Sequence, residues 1–316
     1  MSSSGGVGQH WVRSREAADA PHVSGSLRLL TGHPVEVRSE PGASLDGVSE
    51  TALGAAEMRA EESHRSDGLF DDPYAAAFVA AAPPLFPDIP SIADDAELAA
   101  LIEASIAGIA IRTRFYDDYL LAACAAGCRQ VVILAAGLDA RAFRLDWPAE
   151  TRLFELDLPN LFAFKETVLA QQQATPKCAR TIVAVDLRDD WPAQLIAAGF
   201  DPDVPSAWTA EGLLAYLSND DAVRLLTAVG EMSTKDGQLS LEYDDFADDS
   251  TLSQVRAMPG MQEVTSMWEG GLIEHPAERL SRHGWQVRTA ARAALASTYK
   301  RPLADATGGF VTATRQ

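Results

Sequence analysis

Hydrophobic and polar positions along the chain fall into two textures. From Glu50 to about Asp67, the string TALGAAEMRAEESHRSD is rich in Ala, Glu and Met and predicts a helix. LFDDPYAAAFVAAA predicts a second, with Asp71 and Asp72 as cap candidates and Pro73 just inside its start. Pro83-Pro84 stops it, and a Pro-rich loop follows over 83–91. Ile102, Ile106, Ile109, Phe115, Tyr119 and Leu120 then recur at helical spacing in one long helix, about 94–126. From residue 130 the texture changes to short aliphatic runs, each followed by a helical stretch. Runs over 131–134, 151–157, 181–185, 207–210 and 237–245 predict five strands. Pro159, the acids before Trp191-Pro192, and Ser218-Asn219-Asp220 mark helix starts between them. A helical section over 248–281 precedes two short strands, 285–288 and 309–314. No crossover helix is expected between these two, which predicts an antiparallel closing pair.

Strand and helix in alternation predict an α/β fold built on a parallel sheet. Residues 1–49 show no sustained period, are rich in Ser, Gly, Pro and His, and are expected to be a disordered extension. That leaves one domain over 50–316, helical over 50–128 and α/β over 129–316.

Charge narrows the partners. Asp plus Glu number 45 against 26 Lys plus Arg, a net charge of -19. Such a surface repels phosphate backbones and anionic lipid, so neither nucleic acid nor membrane is an expected partner. No apolar run is long enough to span a bilayer, and the N-terminus lacks a signal-peptide pattern. The three cysteines, Cys124, Cys128 and Cys178, suit reduced thiols in a cytoplasmic protein. Cys124 and Cys128 share a helix face without His partners, which favours core over metal ligation.

The candidate chemistry gathers where strands end. Ala135-Ala136-Gly137 is a small-residue turn between the first strand and a helix, the geometry that brings backbone N–H groups close to a nucleotide-like ligand. Glu155 and Asp157 end the second strand, about 20 residues after Gly137, where ribose hydroxyls find an acceptor in such sheets. A helix-capping role for Asp157 is the plainer alternative. Asp186-Leu187 ends the third strand and suits an adenine edge, again with capping as the plainer reading. Glu211 ends the fourth, where a carboxylate suits a cationic group. In the long helix, Arg112 and Arg114 either pair with Asp117 and Asp118 on the surface, or one of them reaches a carboxylate ligand at the sheet edge. No Gly-x-Gly-x-x-Gly string is present, which argues against a dinucleotide fingerprint.

Taken in order, MRAEESHRSDGLFDDPYAAAFV, IRTRFYDDYL, VVILAAGLDARAFRLDWP, FELDLP, AVDLRDDWPAQL and AEGLLAYL resemble the leucine carboxyl methyltransferase family. The closest likeness is to its bacterial branch of S-adenosylmethionine-dependent O-methyltransferases, and it runs from about Val48 to the closing GGFVTATR. The resemblance implies a Rossmann-like class I methyltransferase fold: a mostly parallel seven-stranded sheet, helices on both faces and a helical N-terminal cap. It implies S-adenosyl-L-methionine as cofactor and a small-molecule carboxylate or hydroxyl as acceptor, in secondary metabolism. It assigns Arg65 and Arg112 to the methionine carboxylate, Gly137 to the glycine turn, Asp157 to the ribose, Asp186 and Leu187 to the adenine, and Glu211 to the methionine amino group. Ala135 stands where relatives usually have Gly. A hydroxyl acceptor would need a base, for which His64, His275 and His283 are candidates. Tyr243 and Trp268 are either pocket wall or core. A nicotinamide-dependent oxidoreductase and a non-catalytic cofactor-binding regulator are the other classes to weigh.

Overall fold

A computed structural model describes residues 26–28, 34–36, 47–82, 96–243, 265–303 and 307–316. The expected Pro-rich loop, and the helical section up to residue 264, lie outside the described residues. So does most of the N-terminal extension, apart from an antiparallel pair of three-residue strands, β1 (Ser26–Arg28) and β2 (Pro34–Glu36).

Among the described residues three helices precede the main sheet: α1 (Gly47–His64), α2 (Ala75–Ala81) and α3 (Ala96–Ala125). Asp72 rather than Pro73 organises the start of α2. Its Oδ1 accepts from the N–H groups of Tyr74 and Ala75, both at 3.2 Å, and its Oδ2 accepts from Arg59 Nε at 2.9 Å. The buried side of α3 carries Ile106, Ala110, Thr113, Tyr116 and Leu120, spaced three and four apart. Phe115 stacks on Phe310 at 4.2 Å and Tyr116 meets the same ring edge-on at 5.7 Å. Burying each such large apolar side chain contributes about 1.5–3 kcal/mol.

Among the described residues the main sheet has seven strands: β3 (Gln130–Leu134), β4 (Arg152–Asp157), β5 (Ala179–Ala184), β6 (Ser206–Ala210), β7 (Gln238–Tyr243), β8 (Trp285–Ala291) and β9 (Gly309–Arg315), in the order β5-β4-β3-β6-β7-β9-β8. The first five named are mutually parallel, and β9 runs antiparallel to both neighbours. Register aligns Leu134 with Leu156 on one side and Ala210 on the other, so β3, β4 and β6 end level. Alternate residues of β3 feed separate cores, Val131 and Ile133 into one, Val132 and Leu134 into the other. A parallel sheet needs such cover on both faces, and the central strands β3 and β6 are accordingly buried at every position.

The connecting helices are α4 (Arg141–Arg144), α5 (Pro159–Gln171), α6 (Trp191–Ala197), α7 (Asn219–Glu231), α8 (Pro276–Arg282) and α9 (Arg292–Thr298). Pro at the start of α5 and α6, and Ser218 accepting from Asp221 N–H ahead of α7, hold the starts the sequence marks. One expectation needs correcting. The pair β8–β9 is antiparallel, but not for want of a helix: α9 lies between them. That one short helix, packed on β8, turns the chain back beside its own strand instead of carrying it over the sheet. Among the described residues no helix is long and apolar enough to cross a membrane.

Candidate functional site at the strand ends

The level ends of the parallel strands form a rim, and most of the expected site residues gather there. Leaving β3, Ala135 takes φ 52° and Gly137 φ 51°, both left-handed. Gly adopts this at no steric cost; Ala135 does so against a strain of about 1–2 kcal/mol. The turn is closed by its neighbour strand: Ala136 N–H donates to Leu156 O at 2.9 Å, and Gly137 N–H to Asp157 Oδ2 at 2.6 Å. Asp157 Oδ1 also accepts from Leu158 N–H at 2.7 Å, at the mouth of α5. Asp157 is thus both the helix-entry acceptor and the partner of the glycine turn. Burial pushes its carboxyl above the ordinary value, against the pull of those two N–H groups.

Glu155 has a different job from the one suggested by its place beside Asp157. It is fully buried, accepting from Lys165 Nζ at 2.6 Å and from Arg180 through both oxygens at 2.9 and 2.8 Å. Its charge is consumed inside the fold and does not face the rim.

Asp186 and Leu187 follow β5. Asp186 accepts from the backbone and side chain of Arg188, and that hydrogen-bonded guanidinium holds its carboxyl below the usual range. Leu187 is half-buried against the core on the β5 side.

At the end of β6, Glu211 is gripped from two directions. Arg112 Nε on α3 donates to Oε1 at 3.0 Å, and Arg141 on α4 donates to Oε2 at 2.8 Å. Gly212, at φ 59°, makes room: a Cβ there would sit 3.2 Å from the Arg112 guanidinium. Arg112 also reaches Glu242 at the end of β7, at 3.5 Å, and Glu242 accepts from Arg292 at 2.7 Å. Arg114 makes the surface pair instead, with Asp118 at 3.0 Å.

Arg141 escaped the sequence reading. Its side chain is 3% exposed and serves three carboxylates: Asp117 at 2.7 Å, Glu211, and Asp139 in a very short contact. Burial opposes its charge, but Asp139, Glu211 and Asp117 outweigh burial and keep it protonated. The available signal was one Arg two residues after an Asp in the helix following a glycine turn, which does not distinguish a buried cation from a surface one. Arg59 was missed too; it donates to Leu138 O at 2.8 Å and so ties α1 to the turn. Ala52 of α1 lies over Gly137, its Cβ 3.5 Å from where a Cβ on that glycine would be.

Of the expected site residues, the fold therefore brings Gly137 to Asp157 and Arg112 to Glu211. Asp186 is held by its own neighbour. Arg65, at the end of α1, pairs with Asp67 at 3.0 Å and lies 3.8 Å from Glu62, in a cluster that also contains Arg301.

Comparison with known proteins places the chain. Residues 52–230, more than half of the chain, match the family model described as leucine carboxyl methyltransferase. A relative from Parafrankia sp. is 47% identical over 272 residues, covering 85% of this chain and 87% of its own. One from Frankia alni is 48% identical over 276 residues, covering 85% and 95%. Both carry the provisional description S-adenosyl-L-methionine-dependent methyltransferase. The crystal structure of a DUF574 family protein from Streptomyces avermitilis superposes with a TM-score of 0.52 at 17% identity, covering 80% of this chain and 97% of that one. That likeness bears on fold, and the strand order β5-β4-β3-β6-β7-β9-β8 with one reversed strand is that of the class I methyltransferases. The chain belongs to the leucine carboxyl methyltransferase family, among the S-adenosyl-L-methionine-dependent methyltransferases.

Proposed function

We propose that this enzyme methylates a carboxylate oxygen of a small molecule. The observation that carries the cofactor part of the reading is the Arg112–Glu211 pair at the rim. An α-amino acid is a zwitterion, and an arginine beside a glutamate offers each of its charges a partner. Each Glu211 oxygen accepts one guanidinium hydrogen bond and keeps a lone pair for an ammonium. In this reading Glu211 takes the amino group of S-adenosyl-L-methionine and Arg112 its carboxylate. Asp157 accepts from the ribose, the backbone of Ala135 to Gly137 approaches it closely, and Asp186 with Leu187 meets the adenine. Arg65, which the resemblance assigns to the same carboxylate, is paired with Asp67 at 3.0 Å and lies 3.8 Å from Glu62. Helices α1 to α3 act as the cap, with Ala52 and Arg59 laid over the turn. When bound, the cofactor supplies a methyl group on a sulfonium, ready for in-line displacement. The chain's part is to hold the acceptor in line and keep water out.

A carboxylate acceptor suits what the histidines are doing. Such an acceptor is ionised near neutral pH and needs no base, whereas a phenol or alcohol does. His283 precedes β8, at the end of the sheet opposite the rim, and is bonded to Arg279 O at 2.7 Å. His64 is exposed at the end of α1, where Nδ1–H donates to Ala60 O at 2.6 Å. His275 packs on Tyr243 at the rim, but its Nδ1 accepts from Ala277 N–H at 3.2 Å, so the proton of the neutral ring sits on Nε2. It presents a donor there and no base.

The test joins binding to product chemistry. Isothermal titration with S-adenosylhomocysteine should show binding to the native chain, weakened about tenfold or more in Asp157→Ala and in Glu211→Ala, with far-ultraviolet circular dichroism unchanged. Labelled methyl transferred to a carboxylic acid should be released as methanol by mild base, as an ester requires. Unchanged affinity in both variants would remove the site assignment, and base-stable label would remove the carboxylate.

A further inference from the structure

Two carboxylates stand side by side at the rim. Register pairs Ala210 of β6 with Leu241 of β7, so the next residues along, Glu211 and Glu242, lie together at the ends of adjacent strands. Adjacent strands run about 4.8 Å apart, so like charges there need a cation between them. Arg112 supplies it. Its Nε donates to Glu211 Oε1 at 3.0 Å and its Nη1 reaches Glu242 Oε2 at 3.5 Å. Burial opposes the guanidinium charge, but Glu242 and then Glu211 outweigh burial and raise its pKa. Among the described residues the third nitrogen, Nη2, takes no partner.

Glu242 is anchored from its other side. Its Oε1 accepts from Arg292 at 2.7 Å, at the start of α9. Arg292 is itself held: it donates to Thr307 O at 2.7 Å, and its guanidinium lies 5.8 Å from the ring of Phe310, the residue opposite Glu242 in the ladder. Charges therefore alternate across the rim in the order Arg141, Glu211, Arg112, Glu242, Arg292. The side chains of Arg112, Glu242 and Arg292 are only 19%, 11% and 14% exposed, so salt screens these pairs little.

This order matters when a zwitterion arrives. An ammonium that takes Glu211 competes with Arg112 for the same carboxylate. With Glu211 as its one acidic partner, the arginine would be released to turn out into water on its flexible stem. Glu242 gives it a second hold. We propose that Glu242 is a positioning residue for the cofactor: anchored by Arg292, it keeps the Arg112 guanidinium at the rim when the ammonium takes Glu211, and leaves Nη2 for the methionyl carboxylate. This rests on the cofactor reading above and names the residue that fits Arg112 for its part in it.

The test uses the full-length chain, titration calorimetry and three ligands: S-adenosylhomocysteine, its decarboxylated analogue, which keeps the ammonium, and methylthioadenosine, which lacks both charges. Glu242→Gln keeps the size of the side chain and removes its charge. It should weaken S-adenosylhomocysteine about tenfold and leave the other two ligands within about twofold of native. Arg292→Gln, which releases the anchor, should give the same pattern to a smaller degree, and it decides the matter if circular dichroism shows Glu242→Gln unfolded. With Arg112 already changed to Met, Glu242→Gln should add no further loss. Equal weakening of all three ligands would make Glu242 a structural support and overturn the proposal. Unchanged S-adenosylhomocysteine affinity in the folded variants, or losses that add in full to that of Arg112→Met, would overturn it as well. A native chain that binds S-adenosylhomocysteine no better than the decarboxylated analogue would instead remove the cofactor reading beneath it, because the carboxylate would then meet no arginine.

Discussion

Replacing Arg141 with Met tests whether the rim is organised from beneath by a buried cation. Met fills similar space and removes the charge. Of the three carboxylates that Arg141 serves, two keep another partner. Asp117 retains Arg144 through two bonds at 2.6 Å, and Glu211 retains Arg112 at 3.0 Å. Asp139 is left with only the backbone N–H of residue 141, at 2.6 Å. One buried carboxylate thus loses its cation, a loss of about 3–5 kcal/mol at neutral pH. In a chain of this size that is roughly a 10 °C fall in melting temperature. Urea unfolding followed by circular dichroism measures it, through the midpoint at unchanged slope. In the double variant Asp139→Asn/Arg141→Met no unpaired charge remains, and at least half the loss should return. Acid pH supplies an independent check. In the native chain burial pushes the Asp139 carboxyl up from its ordinary 3.8, but Arg141, Lys165 and the backbone N–H pull it lower still. Its contribution is therefore present above that ordinary value and lost as pH falls through the depressed one. Without Arg141, burial dominates and the carboxyl rises, so the variant gains stability as pH falls toward the unfolded value. The gap between the two proteins should narrow on acidification. A loss under about 1 kcal/mol, or a double variant as unstable as the single, would refute the reasoning.

Two further outcomes are expected. Ala135→Gly relieves about 1–2 kcal/mol of left-handed strain and gives back about 0.5–1 in chain entropy, so stability should hold within about 1 kcal/mol while S-adenosylhomocysteine binds more tightly. Urea midpoints and titration calorimetry measure the two, and weaker binding would mean that the methyl group is a contact and not an obstruction. Burial pushes the Cys128 and Cys178 thiols up to about 12, and Cys124 is raised as well. Iodoacetamide at pH 8 should accordingly leave all three largely unlabelled in the native chain and label them in urea, as mass spectrometry would reveal. Rapid native labelling of Cys128 would contradict that burial.

The strands and helices of the α/β part were legible because each is specified locally. β-branched and aliphatic runs make β3 to β6, and Pro or Ser stands at the start of α5, α6 and α7. Asp157, Asp186 and Glu211 were legible for the same reason, since position at a strand end is a local property. What was not legible is which charge faces which. Arg112 and Arg114 lie two residues apart on one helix and so point to opposite sides; only packing of α3 on the sheet selects Arg112 for Glu211. Glu155 and Asp157 share a strand face, yet Lys165, eight residues beyond Asp157, claims one of them. Arg141 contacts residues up to 70 positions away, and nothing near it in the chain announces this. The helix α9 was overlooked because Ala, Ser and Thr give it little amphipathic pattern.

The place of β9 has a consequence during synthesis. Among the described residues it follows every other strand, yet it lies inside the sheet, hydrogen-bonded to β7 on one side and β8 on the other. Until residue 315 has left the ribosome, β7 and β8 each present a bare ladder of N–H and C=O groups, the kind of surface on which nascent chains pair with one another. β9 works as a wedge, and its arrival closes both ladders at once.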